Sequence, residues 1–174
     1  DAIVEDKTFK ELTSLKLLDT EYTIPSFEDF LKRVDGKVPL LIELKTESPK
    51  TCKRLCEAAD KLLCDYKGKY YIQSFYPPAL YWYRRHRKNV FRGQLSSGNL
   101  GKGIAMKLLS CLLLNFLSRP DFISYEIYHE KNFFRRICIL LGAASFGWTF
   151  RSQEELDKYK NSFPARIFEQ FIPK

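Results

Sequence analysis

Two charged side chains near the end of one predicted strand are the residues best placed to do chemistry. Residues 38–45 read VPLLIELK, and side chains alternate across a strand. Every second residue from Leu40 to Leu44 is aliphatic, whereas Glu43 and Lys45 share the opposite face. A half-buried carboxylate beside an amine is costly unless the two pair, or unless a metal ion or anionic substrate binds. The sequence therefore predicts either a structural ion pair or a binding site at a strand end.

Strand and helix signals alternate along the rest of the chain. Ser26 and Ser152 are predicted helix N-caps, and Glu155 completes a capping box with Ser152. The predicted strands cover residues 38–45, 70–75, 90–95, 121–126, 147–150 and 167–171. The predicted helices cover residues 26–36, 51–66, 78–87, 101–117, 133–141 and 152–160. This alternation favours βα units and a parallel sheet, whose chemistry lies at the carboxyl ends of the strands.

Four segments in a fixed order carry a resemblance to a known family. They are PLLIELK, IQSFYPPAL, RGQL and a late WT before a helix. In this order they resemble the glycerophosphodiester phosphodiesterase family, from about Ile24 to the C-terminus. The resemblance implies an α/β fold, a TIM-type (β/α)8 barrel, to which this chain supplies about six strands, the third to the eighth. It also implies a single partial barrel domain over 1–174, with a connecting segment at 1–23 and βα repeats over 24–174.

The resemblance also implies roles for three side chains. Glu43 matches the family's metal-ligand carboxylate, for Mg2+ or Ca2+, and Lys45 its catalytic lysine on the phosphate side. Trp148 matches an aromatic that packs against the glycerol end of the substrate, and we assign Gln73 to substrate binding as well. Trp148 as plain barrel packing and Gln73 as a strand-end hydrogen bonder remain open alternatives.

The family's N-terminal motifs have no counterpart here. They are a His-Arg strand, a strand with a Glu and an Asp, and a second His. The chain has two histidines, His86 and His129, and neither matches these motifs. We read His86 as a solvated helix residue and leave His129 and Glu126 without an assigned role. We expect a chain that lacks its N-terminal third and is inactive alone. An unclosed sheet edge predicts an oligomer, or a missing segment supplied in trans.

The implied function is metal-dependent hydrolysis of glycerophosphodiesters to sn-glycerol 3-phosphate and an alcohol. One alternative is a non-catalytic barrel remnant that binds phosphate esters or a partner. Another is a phospholipase D-like enzyme of the same barrel type. The partner expected for the first reading is a small-molecule glycerophosphodiester.

Composition limits the other classes. The chain has 174 residues, of which 45% are hydrophobic, which is enough for one core. Its net charge of +8 suggests nucleic-acid binding. Because 21 acidic residues interleave with the basic ones, we predict that the protein does not bind nucleic acid. Residues 104–117 form the longest apolar stretch and are too short to span a bilayer, so we expect no stable membrane insertion. The five cysteines have no metal-binding pattern and predict reduced thiols in a cytoplasmic protein.

Overall fold

The computed structural model describes residues 4–46, 48–101 and 103–174. Residues 1–3 of the expected connecting segment and Lys102 of the predicted apolar helix lie outside the described residues. The strands are β1 Leu40–Glu43, β2 Tyr70–Ser74, β3 Arg92–Ser96, β4 Phe122–Glu126, β5 Ala144–Phe150 and β6 Ala165–Phe168. The α-helices are α1 Phe9–Ser14, α2 Phe27–Val34, α3 Pro49–Leu63, α4 Pro77–His86, α5 Ile104–Ser110, α6 Asn115–Ser118, α7 Phe133–Leu140 and α8 Gln153–Lys158.

The six strands form one parallel sheet in the order of the sequence, from β1 to β6. Helices lie between successive strands, and the sheet curls into half of a barrel. The predicted fold, a partial TIM-type barrel, is confirmed. The segment expected to be a connection, 1–23, also contains α1, whose N-terminus is closed by a capping box between Thr8 and Glu11.

The outer face of the sheet packs against the helices in two clusters. Over β1 and β2, Leu40, Leu44 and Ile72 are buried against α3 and α4. Cys56 also lies in this cluster, where burial raises the pKa of its thiol. Over β4 and β5, the second cluster contains Ile123, Tyr125, Ile127, Phe150, Leu156 and Phe163. The aliphatic alternation predicted for β1 is therefore confirmed, since its outward residues are those in contact with helices.

Three local predictions were wrong. The long apolar helix at 101–117 is two short helices, since the chain turns between α5 and α6 and Leu112 takes a left-handed conformation, with φ of 56°. The last strand lies at Ala165–Phe168, not at 167–171. Ser152 caps α8 as predicted, but the Glu155 carboxylate accepts from the backbone N–H of Arg151 instead of completing the capping box.

The inner face of the sheet contains a close contact between β3 and β4. Gly93 and Phe122 are register partners, so their side chains point to the same face. A Cβ atom at Gly93 would lie 1.9 Å from Cε2 of Phe122, whose ring fills the space above the glycine. Gly93 is thus required for the packing of Phe122, which is 3% exposed.

We expect Gly93→Ala to destabilise the fold by about 1–3 kcal/mol, because the new methyl group overpacks the inner face. Urea unfolding followed by circular dichroism measures the change. Phe122→Leu removes the ring and should cost on the order of 1 kcal/mol alone. The double variant should then be clearly less unstable than the sum of the two single variants. Additive losses would show that the contact with Phe122 is not what excludes alanine at this position.

Candidate active site

The candidate active site is the rim formed by the carboxyl ends of the strands. Because all six strands are parallel, these ends lie on one edge of the sheet. Glu43 of β1 is the register partner of Gln73 of β2, and Glu126 of β4 is the partner of Trp148 of β5. Partners in register point to the same face, so these four side chains project from the inner face of the sheet near its rim.

Gln73 has an unusual environment for a polar side chain. It is 6% exposed, and its Oε1 atom is buried without a hydrogen-bond partner in the part of the chain that the structure describes. An unsatisfied buried acceptor costs free energy, typically about 1–3 kcal/mol. A ligand that donates a hydrogen bond to Gln73 would recover that cost. The structure therefore places this predicted substrate-binding residue beside Glu43 with an unused acceptor.

Lys45 lies just beyond β1 and is exposed. It lines a shallow cavity of about 440 Å³ together with Thr46, Thr51 and Arg54, at the first turns of α3. Among the described residues, the ion pairs do not include one between Lys45 and Glu43. The alternative of a structural Glu43–Lys45 ion pair thus finds no support in the geometry. The two charges stay available to other partners.

Trp148 connects two parts of the rim. Its Nε1 atom donates a hydrogen bond to the carbonyl oxygen of Ser124 on β4, at 3.0 Å. Its ring meets the ring of Phe75, just beyond β2, edge to face with 5.6 Å between centroids. The indole is half-buried and held from two sides. It is therefore a rigid aromatic surface at the rim, a property that serves packing and ligand binding equally well.

The structure also reveals a polar network that sequence reasoning left without a role. The Glu126 Oε2 atom accepts hydrogen bonds from the Ser97 hydroxyl, at 2.6 Å, and from the His129 ring Nδ1, at 2.8 Å. The backbone N–H of Asn99 in turn donates to the Ser97 hydroxyl. The ends of β3 and β4 are thereby joined at the rim. The sequence signal for this network is weak: a Glu and a His three residues apart just after a strand.

A metal site is not complete within the described residues. No three His, Cys, Asp or Glu side chains among residues 4–46, 48–101 and 103–174 converge on a point that could hold an ion. Glu43 offers one carboxylate, whereas Ca2+ takes 6–8 oxygen ligands and Mg2+ requires an octahedral set. The residues present therefore do not fit a metal centre by themselves, and we derive no chemical step through one.

Comparison with known proteins identifies the class of fold. No protein-family model matches the chain, and no curated protein matches it significantly. Several solved structures do match the chain. A glycerophosphodiester phosphodiesterase from Parabacteroides distasonis aligns with a TM-score of 0.71 and 18% identity, over 92% of this chain and 66% of that one. The enzyme from Thermotoga maritima aligns with a TM-score of 0.62 and 16% identity, over 84% of this chain and 60% of that one.

A third solved structure adds a bound molecule. It is a phosphodiesterase from Oleispira antarctica in complex with the product sn-glycerol-3-phosphate, and it aligns with a TM-score of 0.65 and 15% identity, over 84% of this chain and 57% of that one. The resemblance to glycerophosphodiester phosphodiesterases is thus confirmed at the level of the fold. The chain spans between about half and two thirds of the length of these three structures.

The hydrogen bond to Glu126 predicts the protonated nitrogen of His129. An ionised carboxylate only accepts hydrogen bonds. The neutral imidazole of His129 must therefore hold its proton on Nδ1, and its Nε2 atom carries no proton. In 15N NMR spectra of the neutral imidazoles, we expect the Nδ1–H form for His129 and a loss of that preference in Glu126→Ala.

His86 is the internal control for this measurement, because its Nδ1 lies 2.8 Å from the carbonyl oxygen of Trp82 on α4. Its tautomer should not respond to Glu126→Ala. A His129 signal that is the same in both proteins would contradict the network.

Proposed function

We propose that this chain forms the substrate-binding half of a glycerophosphodiester phosphodiesterase. One observation carries the proposal: the residues singled out by resemblance to that family fall at the rim of a fold that aligns with solved members of it. Glu43, Gln73 and Trp148 come from three different strands, and the parallel register gathers them on one face. Neither the sequence motifs nor the fold likeness alone would support the assignment as well.

The proposed reaction is the attack of water on the phosphorus of the diester. The bond from phosphorus to the alcohol oxygen breaks, which gives sn-glycerol 3-phosphate, and the released alcohol takes up a proton. Such a reaction needs positive charge at the non-bridging oxygens and a donor for the leaving oxygen. We assign Lys45 to the phosphate oxygens, Gln73 to a hydroxyl of the substrate and Trp148 to the glycerol carbons.

We propose Glu43 as one ligand of a divalent cation, Mg2+ or Ca2+, in the active protein. When bound, such an ion would offset the negative charge of the phosphoryl oxygens. The described residues supply too few further ligands, so we propose that the chain alone does not hydrolyse the diester. A second reading, a barrel that binds phosphate esters without cleaving them, is favoured by the same single carboxylate.

Ligand binding can be tested separately from catalysis, since the chain has two tryptophans. Trp82 lies on α4 and stacks on His86, whereas Trp148 is at the rim. In Trp82→Phe, whose emission comes from Trp148 alone, sn-glycerol 3-phosphate should change the fluorescence saturably. We expect weak binding, on the order of 1 mM, because few polar groups contact the ligand. Trp148→Phe should show no change, and inorganic sulfate should compete poorly. Equal responses from both tryptophan variants would count against binding at the rim.

Catalysis is tested with glycerophosphocholine and Mg2+ or Ca2+, on this chain and on any longer natural polypeptide that contains it. We expect no release of glycerol phosphate from the chain alone and metal-dependent release from the longer protein. Glu43→Gln in the longer protein should lower kcat/KM by 100-fold or more, about 3 kcal/mol of transition-state stabilisation. Glu57→Gln, on the outer helix α3, is the matched control. Binding without hydrolysis in every form would favour the phosphate-ester-binding reading.

A further inference from the structure

A group of apolar side chains is exposed on the outer layer of the half-barrel. We call it the apolar patch, and it consists of Leu113, Phe116, Ile137, Leu140 and Leu141. They come from the turn before α6, from α6, and from α7 and its C-terminal end. Phe116 is 68% exposed and Leu140 85%. All but Leu140 line one groove of about 780 Å³ between these helices. Clustered exposure of this kind marks an interaction surface, unlike scattered single residues.

The apolar patch lies at the opposite end of the sheet from the candidate active site. Its groove is also lined by Phe91, Asp121 and Ala143, which immediately precede β3, β4 and β5. These are the amino ends of parallel strands, whereas Glu43, Gln73 and Trp148 lie near the carboxyl ends. The groove also lies over the middle strands rather than at β1 or β6, the edges of the sheet. Pairing of another strand onto either edge would therefore leave the apolar patch uncovered.

Basic side chains border the same surface. Residues 84–143, the segment that supplies this surface, contain eleven Lys and Arg and three Asp and Glu, a balance of +8. Arg92 and Arg135 are buried and Arg87 pairs with Asp60 on α3, so the remaining basic residues are the ones that can face a partner. Arg119 lines the groove, and Arg136 lies one helical turn before Leu140 on α7. Arg84, at the end of α4, donates a hydrogen bond to the carbonyl oxygen of Leu117 on α6, at 2.5 Å. An apolar centre is thus bordered by guanidinium groups.

We propose that the apolar patch and its arginines dock this protein onto an anionic lipid bilayer surface. Exposed apolar side chains enter the boundary between headgroups and acyl chains, and basic side chains around them bind anionic lipids. A second copy of the chain fits the surface less well, because two identical positive borders would meet. Docking is peripheral in this proposal. No helix among the described residues is long and apolar enough to cross a membrane.

This orientation has a consequence that rests on the proposed function. With the amino ends of the strands on the lipid, the rim that carries Glu43 and Trp148 faces the water. Substrate then arrives from solution, which suits a water-soluble glycerophosphodiester and not an intact lipid embedded in the same bilayer. Membrane docking itself does not depend on hydrolysis, so the two proposals can fail separately.

Vesicle co-sedimentation tests the docking directly, with vesicles of phosphatidylcholine alone and of phosphatidylcholine with phosphatidylglycerol. We expect binding to the second kind only, weakened by salt. Arg119→Gln with Arg136→Gln should weaken it about 25-fold, since each basic residue near an anionic surface contributes about fivefold. Phe116→Ser with Leu140→Ser should weaken it on the order of tenfold or more.

Matched controls keep the test specific. Lys50→Gln with Lys131→Gln removes two exposed charges beyond the carboxyl ends of β1 and β4, away from the docking surface, and Leu18→Ser with Ile172→Ser removes two apolar side chains that are 93% and 90% exposed. Neither pair should alter vesicle binding, and circular dichroism should show that every variant is folded. Equal binding to neutral vesicles, or equal losses in the controls, would overturn the proposal. So would a dimer in sedimentation velocity that Phe116→Ser with Leu140→Ser dissociates, combined with no vesicle binding.

Discussion

The unbroken parallel register of the six strands is the constraint on which the rest of the structure depends. It places every carboxyl end on one edge of the sheet and fixes which residues face inward. A slip of one residue in β1 would exchange Glu43 with Ile42, and it would bury a carboxylate against α3 while exposing an aliphatic side chain at the rim. The chemistry at the rim and the packing of the helices are therefore set by the same alternation, and neither can change without the other.

Contacts between β3 and β4 reinforce this register at both ends of the sheet. At the amino ends, Asp121 accepts a hydrogen bond from the backbone N–H of Arg92 and forms an ion pair with its guanidinium group. At the carboxyl ends, Glu126 joins Ser97 to the following turn. Between them, Phe122 occupies the space that Gly93 leaves free. The hydrogen bonds between Arg92 and Asp121 and between Ser97 and Glu126 each join residues 29 apart in the sequence, so they report the pairing of the strands and not local propensity.

The sequence predicted the order and type of nearly all elements, because period-2 aliphatic patterns and capping serines are local signals. Ser26 caps α2 as expected, and the aliphatic face of β1 meets the helices. The break between α5 and α6 could not be predicted in this way. Leucine at position 112 has no intrinsic preference for a left-handed conformation, and tertiary packing of a 4% exposed side chain selects it. The Ser97–Glu126–His129 network was equally hidden, since Ser97 becomes a neighbour of Glu126 only through the register of two strands.

The candidate site, too, was predicted in part from the sequence and in part only from the fold. Resemblance supplied Glu43, Lys45 and Trp148, and the strand-end position supplied Gln73. The fold places three of these four on the inner face, whereas Lys45 lies at the first turns of α3. What resemblance could not supply is the contrast between the two ends of the sheet. One end combines two carboxylates, a free amide acceptor and an aromatic surface, while the other combines apolar helices with exposed arginines. A sheet of parallel strands makes this separation possible, because its two edges are built from different loops and can be selected for different partners.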